Sequence, residues 1–380
     1  MITYQRLGDY IREVNVRNRE LKVTKPMGIN IDKHFMPSVA NVIGTDLSAY
    51  KLVSKNQFAC NLMHVGRDEK IPMAMQTDDN PIIVSPAYFV FEISQTEVLL
   101  PEYLMMWFSR PEFDRNAWFY TDADVRGGMD KSAFMDMMLP LPSIERQREI
   151  VSEYETLTNR IHLNEQMIQH LEATAQALYR KMFVDGIDKE NLPESWRMGT
   201  LGEICEINPQ LKPKQKAEIP FVDMDALPTT GYFIRNIQKR VFSSGMKFEN
   251  GDVLFARITP CMENGKAAIV SDIPDNEIAF GSTEFIVLRG KKQKLTSLLA
   301  TLVRTKEFRN YAKSQMKGTD GRQRVDHEML KNYEMIIPGE EVIGRIESDF
   351  KRLYSLAHIE SKENSKLTEL QSLLLAKMGQ

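Results

Sequence analysis

The stretch from Ser143 to about Gly186 limits what this chain can fold into more than any other. Ile150, Tyr154, Leu157, Ile161, Asn164, Ile168, Leu171, Ala175, Leu178 and Met182 follow one another at steps of four, three, four, three without a break. That is the heptad seam of a single long helix, and a seam needs a partner helix to cover it. The other faces carry Glu, Arg, Gln, Asn and Lys, which remain in water. About 40 residues at about 1.5 Å each give a helix roughly 60 Å long.

The partner lies in the same chain. Ile346, Phe350, Leu353, Ala357, Glu360, Asn364, Leu367, Gln371, Leu374 and Met378 repeat the spacing, each 196 residues after its counterpart. The long helix is therefore half of an internal repeat. Equivalent helices in two repeats pack antiparallel without stretching the chain, which implies pseudo-twofold symmetry. The polar seam residues Asn164, Glu360 and Asn364 are expected to meet near the middle and to set register.

The rest of the chain also reads twice. Arg6-Leu-Gly-Asp-Tyr-Ile11 has its match in Thr200-Leu-Gly-Glu-Ile-Cys205. Asn56–Leu62 matches Gly251–Arg257, and Ser85–Phe91 matches Ser282–Leu288, as short turns and apolar strands. Tyr103–Phe113 and Leu298–Phe308 each read as one helix. Met138–Pro142 and Met335–Pro338 are strands stopped by proline before each long helix. The predicted fold is two mixed α/β (α+β) globules in tandem, separated by two long helices that form an antiparallel coiled coil. The expected boundaries are 1–142 for the first globule, 143–186 for its helix, 187–338 for linker and second globule, and 339–380 for the second helix. Gly and Pro signposts are shared while the loops differ, the pattern of one scaffold carrying two binding surfaces.

With 380 residues, 42% hydrophobic and 27% charged, the chain has the balance of a folded protein of two or more domains. No apolar run reaches bilayer length, and MITYQRLGDY lacks a signal-peptide core, so a cytoplasmic protein is expected. Cys60, Cys205 and Cys261 have no metal-type spacing and read as free thiols. A net charge of −3 counts mildly against nucleic acid, though a local basic groove would suffice. Parts for catalysis are missing from the sequence. There is no GxxxxGK[ST] loop and no GxGxxG loop, and Asn208-Pro209-Gln210-Leu211 departs from the [ND]PP[YF] motif of adenine methyltransferases. Asp252, Glu263 and Lys266 have nuclease-like chemistry, but such residues at loose spacing are common. Met135-Asp-Met-Met138 reads as core filler.

The order globule, long helix, globule, long helix, with an LG[DE] opening to each half, resembles the specificity subunit of type I restriction–modification systems. The carrying strings are GDVLFARITPCMENGKAAIV (251–270), GSTEFIVL (281–288) and GTDGRQRVD (318–326) in the second half. In the first half they are NLMHVGRDEKIPMAM (61–75), SPAYFVFEI and VRGGMDKSAF (125–134). The resemblance implies a non-catalytic subunit that reads bipartite double-stranded DNA, one half-site per globule. It further implies two adenine-N6 methyltransferase subunits and two restriction subunits as partners. S-adenosylmethionine, and ATP with Mg for restriction, would be used by those partners, with no cofactor or metal on this chain. A pseudo-symmetric scaffold for protein partners, without DNA reading, is the alternative.

Direct readout calls for Arg or Lys at guanine and Asn or Gln at adenine. The resemblance places two loops of the second half at the DNA face, with candidates Arg257, Thr259, Asn264, Lys266, Arg322, Gln323 and Arg324. The matching candidates in the first half are Asn61, His64, Arg67, Lys70, Tyr120, Arg126 and Lys131. Trp118 is expected in the core. His64 stands without a second ligand at suitable spacing and reads as a hydrogen-bonding residue.

Overall fold

The computed structural model describes residues 3–38, 44–63, 65–121, 127–212, 217–291, 295–319 and 321–378. The chain divides into two compact units, Met1–Arg160 with Lys366–Gln380, and Ile161–Ser365. The long helices span Ile144–Phe183 and Glu340–Lys377, and each contributes a segment to both units.

In the first unit, one four-stranded sheet has the order Ile11–Glu13, Phe89–Ile93, Phe58–Cys60, Met73–Met75, all antiparallel. A second has the order Phe35–Pro37, Pro26–Ile29, Ile82–Val84, Lys51–Val53, with its central pair parallel. The strand sequence FAC is buried throughout because the first sheet is covered on both faces. Phe58, Cys60, Phe89 and Phe91 face the helices, whereas Ala59 and Val90 face the second sheet with Val53 and Val84. That is the two-residue alternation of a strand, made apolar on both sides. Phe58 stacks on Phe91 at 5.1 Å, and Phe108 meets both edge-on.

The second unit repeats this plan. One sheet runs Cys205–Ile207, Phe285–Gly290, Val253–Ala256, Ala267–Ile269; the other runs Gln238–Val241, Glu218–Val222, Ala279–Gly281, Met246–Phe248. Val253, Phe255, Ile286 and Leu288 face the helices, while Leu254, Phe285 and Val287 face the second sheet. A two-stranded ladder closes each globule: Thr3–Arg6 with Met138–Leu141, and Arg197–Thr200 with Glu334–Ile337.

The helix pair is antiparallel in both units. In the first, Gln371 donates to Thr158 at 2.7 Å, and Ile150 and Tyr154 pack in the core that holds Leu375 and Met378. Leu157 and Leu374 line one groove there, and Leu367 is half-buried. In the second, Ile168, Leu171, Leu178 and Leu353 pack against a core containing Ile346 and Phe350. The half-buried Ile161 accepts a hydrogen bond at its carbonyl from Asn364. The seam thus also buries part of each globule. Each long helix caps a short one: Gln147 accepts from the Leu100 N–H, and Glu347 from the N–H groups of Ser297 and Leu298.

Three expectations need correction. Tyr103–Phe113 is not one helix but parts of two, Pro101–Phe108 and Pro111–Phe119. Pro111 holds Arg110 extended (φ −74°, ψ 136°) and breaks the run. Leu298–Phe308 breaks likewise at Thr305, an extended N-cap whose hydroxyl accepts from the Phe308 N–H. Met138 is exposed, on the outer side of a two-stranded ladder, rather than core. Cys60, Cys205 and Cys261 form no disulfide.

Candidate nucleic-acid interface

In the second unit the buried strand Val253–Ala256 ends at Arg257, where the chain leaves the core. Two segments distant in sequence meet there. The Val325 N–H donates to the Arg257 carbonyl at 2.9 Å, the Thr259 N–H to the Gln323 carbonyl at 3.1 Å, and Ile258 bridges Arg324. The hairpin pairing Met316–Lys317 with Arg324–Val325 is thereby laid beside the 257–266 loop. Its connection needs positive φ at Gly318 (118°) and Gly321 (80°), which glycine adopts without a Cβ penalty. Arg257, Thr259, Gln323 and Arg324 consequently share one site, with exposed Arg322 at its outer edge.

The cations of this site mostly have acidic partners. Arg324 forks onto Glu284, which pushes the guanidinium pKa up. Lys266 reaches the Met224 carbonyl at 3.1 Å and Asp225 at 3.2 Å. Lys313 pairs with the Glu263 carboxylate, and Arg309 donates to the Glu263 main-chain carbonyl at 3.4 Å. Arg322 and Asn264 are exposed and have no side-chain hydrogen bond among the described residues. The Arg257 Nε is buried without a partner among the described residues, so this guanidinium is incompletely satisfied inside the protein.

The first unit makes the same junction with other side chains. The Met129 N–H donates to the Leu62 carbonyl at 2.8 Å, as Val325 does to Arg257. The Gly66 N–H donates to the Gly127 carbonyl at 2.7 Å. Backbones touch here: a Cβ on Gly66 would lie 2.8 Å from the Gly127 Cα. Asn61 turns inward, its Oδ1 accepting from the Met63 N–H. Exposed Arg67 pairs with Asp68, and Lys70 is half-buried. Lys131 is paired with Glu13 and stands over the Phe89 ring. The Lys33–Asp114 pair, buried at 2.6 Å, anchors the end of the loop by accepting from the Ile71 N–H; burial pushes the Lys33 pKa down, opposed by Asp114. His64 and Arg126 lie outside the described residues.

The expectation for Trp118 is overturned. Trp118, Phe119 and Tyr120 are 48%, 81% and 55% exposed at the end of the Pro111–Phe119 helix. The helix ends there, so Phe113 and Ala117 take the buried face and the last turn projects outward. Sequence reasoning missed Phe119 and the acids Glu13, Asp225 and Glu284. Three consecutive aromatics before a Gly-Gly turn were the available signal for the first; the acids pair across 40 residues or more, beyond any local pattern. Among the described residues no His, Cys, Asp and Glu cluster is set to hold a metal, and no helix is long and apolar enough to cross a membrane.

Fold and site define a protein with two compact units, each holding an α/β globule of the same strand order and the same loop junction. Residues 193–369 match the Type I restriction modification DNA specificity domain. The chain is 32% identical over 185 residues to the type I restriction enzyme EcoEI specificity subunit of Escherichia coli and 34% identical over 185 residues to the EcoAI specificity subunit. Each match covers 47% of this chain, which spans 31% of the length of either relative. The crystal structure of the type I restriction–modification S subunit from M. genitalium shares the fold, with a TM-score of 0.58 at 13% identity, over 100% of this chain and 96% of that one. The chain is thus similar to the specificity subunits of type I restriction–modification systems, and the similarity to their DNA specificity domain lies in residues 193–369.

Proposed function

We propose that this chain reads a bipartite site on double-stranded DNA, one half-site with each unit, and performs no chemistry itself. The carrying observation is the repetition of the strand order and of the loop junction, with Leu62–Met129 replaced by Arg257–Val325. One scaffold holding two unlike loop sets suits two unlike half-sites. Two adenine-N6 methyltransferase subunits, which use S-adenosylmethionine, and two ATP-dependent restriction subunits are the partners this reading implies. Base readout falls to the exposed polar groups at the junctions. Arg322, Asn264 and Arg67 are the most accessible of these, while Phe119 and Tyr120 offer faces for contact along a groove.

Footprinting tests the reading. The chain assembled with its methyltransferase subunits should protect two patches flanking an unprotected spacer. Absence of protection at any sequence in low salt would overturn it and favour a scaffold for protein partners.

A further inference from the structure

We propose that Arg324 reads a guanine in the half-site taken by the second unit, with Glu284 holding its guanidinium in the reading orientation. This rests on the DNA-reading function proposed above.

The guanidinium is planar, with five N–H donors in fixed directions. Arg324 Nε donates to both Glu284 oxygens, at 2.8 and 3.0 Å, and Nη2 lies 2.8 Å from Oε1. Glu284 therefore occupies the side edge of the fork. The end edge, with one N–H each from Nη1 and Nη2, keeps two parallel donors. In the major groove guanine offers two adjacent acceptors, O6 and N7, whereas adenine offers an acceptor beside a donor. Two parallel donors therefore select guanine.

A phosphate also accepts from such a fork. Glu284 weighs against it. An anion at the end edge would sit close to the carboxylate and be repelled, whereas a neutral base edge would not. Both partners are held firmly. Glu284 precedes the fully buried Phe285, its N–H donates to Ser282, and its carbonyl accepts from the Arg257 N–H. Arg324 is fixed by its bridge to Ile258. Yet 44% of the Arg324 side chain is exposed, leaving it open to a base. The first unit has Ala87 and Gly128 at the matching positions, so the device serves one half-site only.

The test uses the full chain assembled with its methyltransferase subunits. The site is first mapped from methylated adenines. Binding is then measured to duplexes in which each base pair of the second half-site is replaced in turn. Arg324→Lys keeps the charge and loses the fork. It should reduce discrimination at one G·C pair by about ten- to a hundredfold and leave every other position unchanged. Glu284→Gln should weaken discrimination at that same pair by about three- to tenfold. An equal loss on every duplex would mean a phosphate contact and overturn the proposal. Unchanged discrimination with a lower melting temperature would mean a structural brace and overturn it too, as would a second half-site without a G·C pair. If the unsubstituted assembly prefers no sequence, the DNA-reading function itself fails, a result separable from all of these.

Discussion

Asn164 donates through Nδ2 to the Asn364 Oδ1 at 2.8 Å and to a Glu363 carboxylate oxygen at the same distance. Asn164 is only 2% exposed, one half of a polar pair inside a mostly apolar seam. The acid Glu363 thereby joins the pair. Asn164→Leu would leave the Asn364 carbonyl and Glu363 without this donor. Stability should fall by about 1–3 kcal/mol, read from the denaturant midpoint. A stabilised variant would mean that the pair costs more than it contributes.

Arg304 ties the second globule to the first long helix. Its side chain is 5% exposed, pairs with Glu172 at 2.6 Å, donates to the Pro228 and Ala267 carbonyls at 3.0 Å, and lies 4.1 Å from the Tyr232 ring. Arg304→Met removes the ion-pair partner of Glu172, which keeps only the Gly231 N–H, and a donor to the Pro228 and Ala267 carbonyls. The expected loss is about 3–5 kcal/mol in chemical denaturation. Because Ala267 follows Lys266, binding to the second half-site should weaken more than binding to the first.

His358 gives the second unit a pH dependence. Its Nε2 is 3.5 Å from Asp272 and its ring 4.3 Å from Phe233. Burial pushes its pKa below the ordinary 6.5, Asp272 opposes this, and Lys362 adds to it. The unfolded chain therefore binds a proton near pH 6.5 that the folded state refuses until a lower pH. Stability should fall as pH drops through that window and then level off. In His358→Gln, denaturation midpoints between pH 7 and pH 5 should vary less than in the parent chain.

Gly66→Ala tests the backbone contact in the first unit. The new methyl would press on Gly127 and move the loop, costing about 1–3 kcal/mol locally. Binding to duplexes altered in one half-site or the other should show recognition of the first half-site impaired and the second intact. Equal loss at both would mean that the two loops do not serve separate half-sites.

Seven residues inserted into both long helices, between Arg160 and Ile161 and between Ser365 and Lys366, keep the heptad phase. They add about 10 Å of helix, equivalent to about three base pairs. Methylation mapping should then find the same half-sites with a longer unread spacer. Altered half-site sequences would contradict the assignment of reading to the globules.

How much was legible in the sequence follows from how locally each feature is encoded. The seam from Ile150 to Met182 and its copy from Ile346 to Met378 are written at fixed spacing, so the helix pair is readable directly. The strands at Phe58 and Val253 announce themselves because burial on both faces demands unbroken apolar runs. The break at Thr305 was hidden because a threonine cap is decided by its hydroxyl, not by a forbidden torsion. The partners of the recognition cations were hidden more deeply. Arg324 and Glu284 stand 40 residues apart, and only the folding of the hairpin onto the sheet brings them together. Trp118 was misplaced because its aromatic character outweighed its position on a helix whose buried side was already taken by Phe113 and Ala117.

The short ladders Thr3–Arg6 with Met138–Leu141 and Arg197–Thr200 with Glu334–Ile337 fasten together the points where the chain enters and leaves each globule. Everything between those clasps can be exchanged as a cassette without cutting a sheet. On the function proposed above, crossovers in the stretches coding for the clasps would trade one reading module for another, so shuffling two genes of this kind should yield combined target sequences that neither parent possessed.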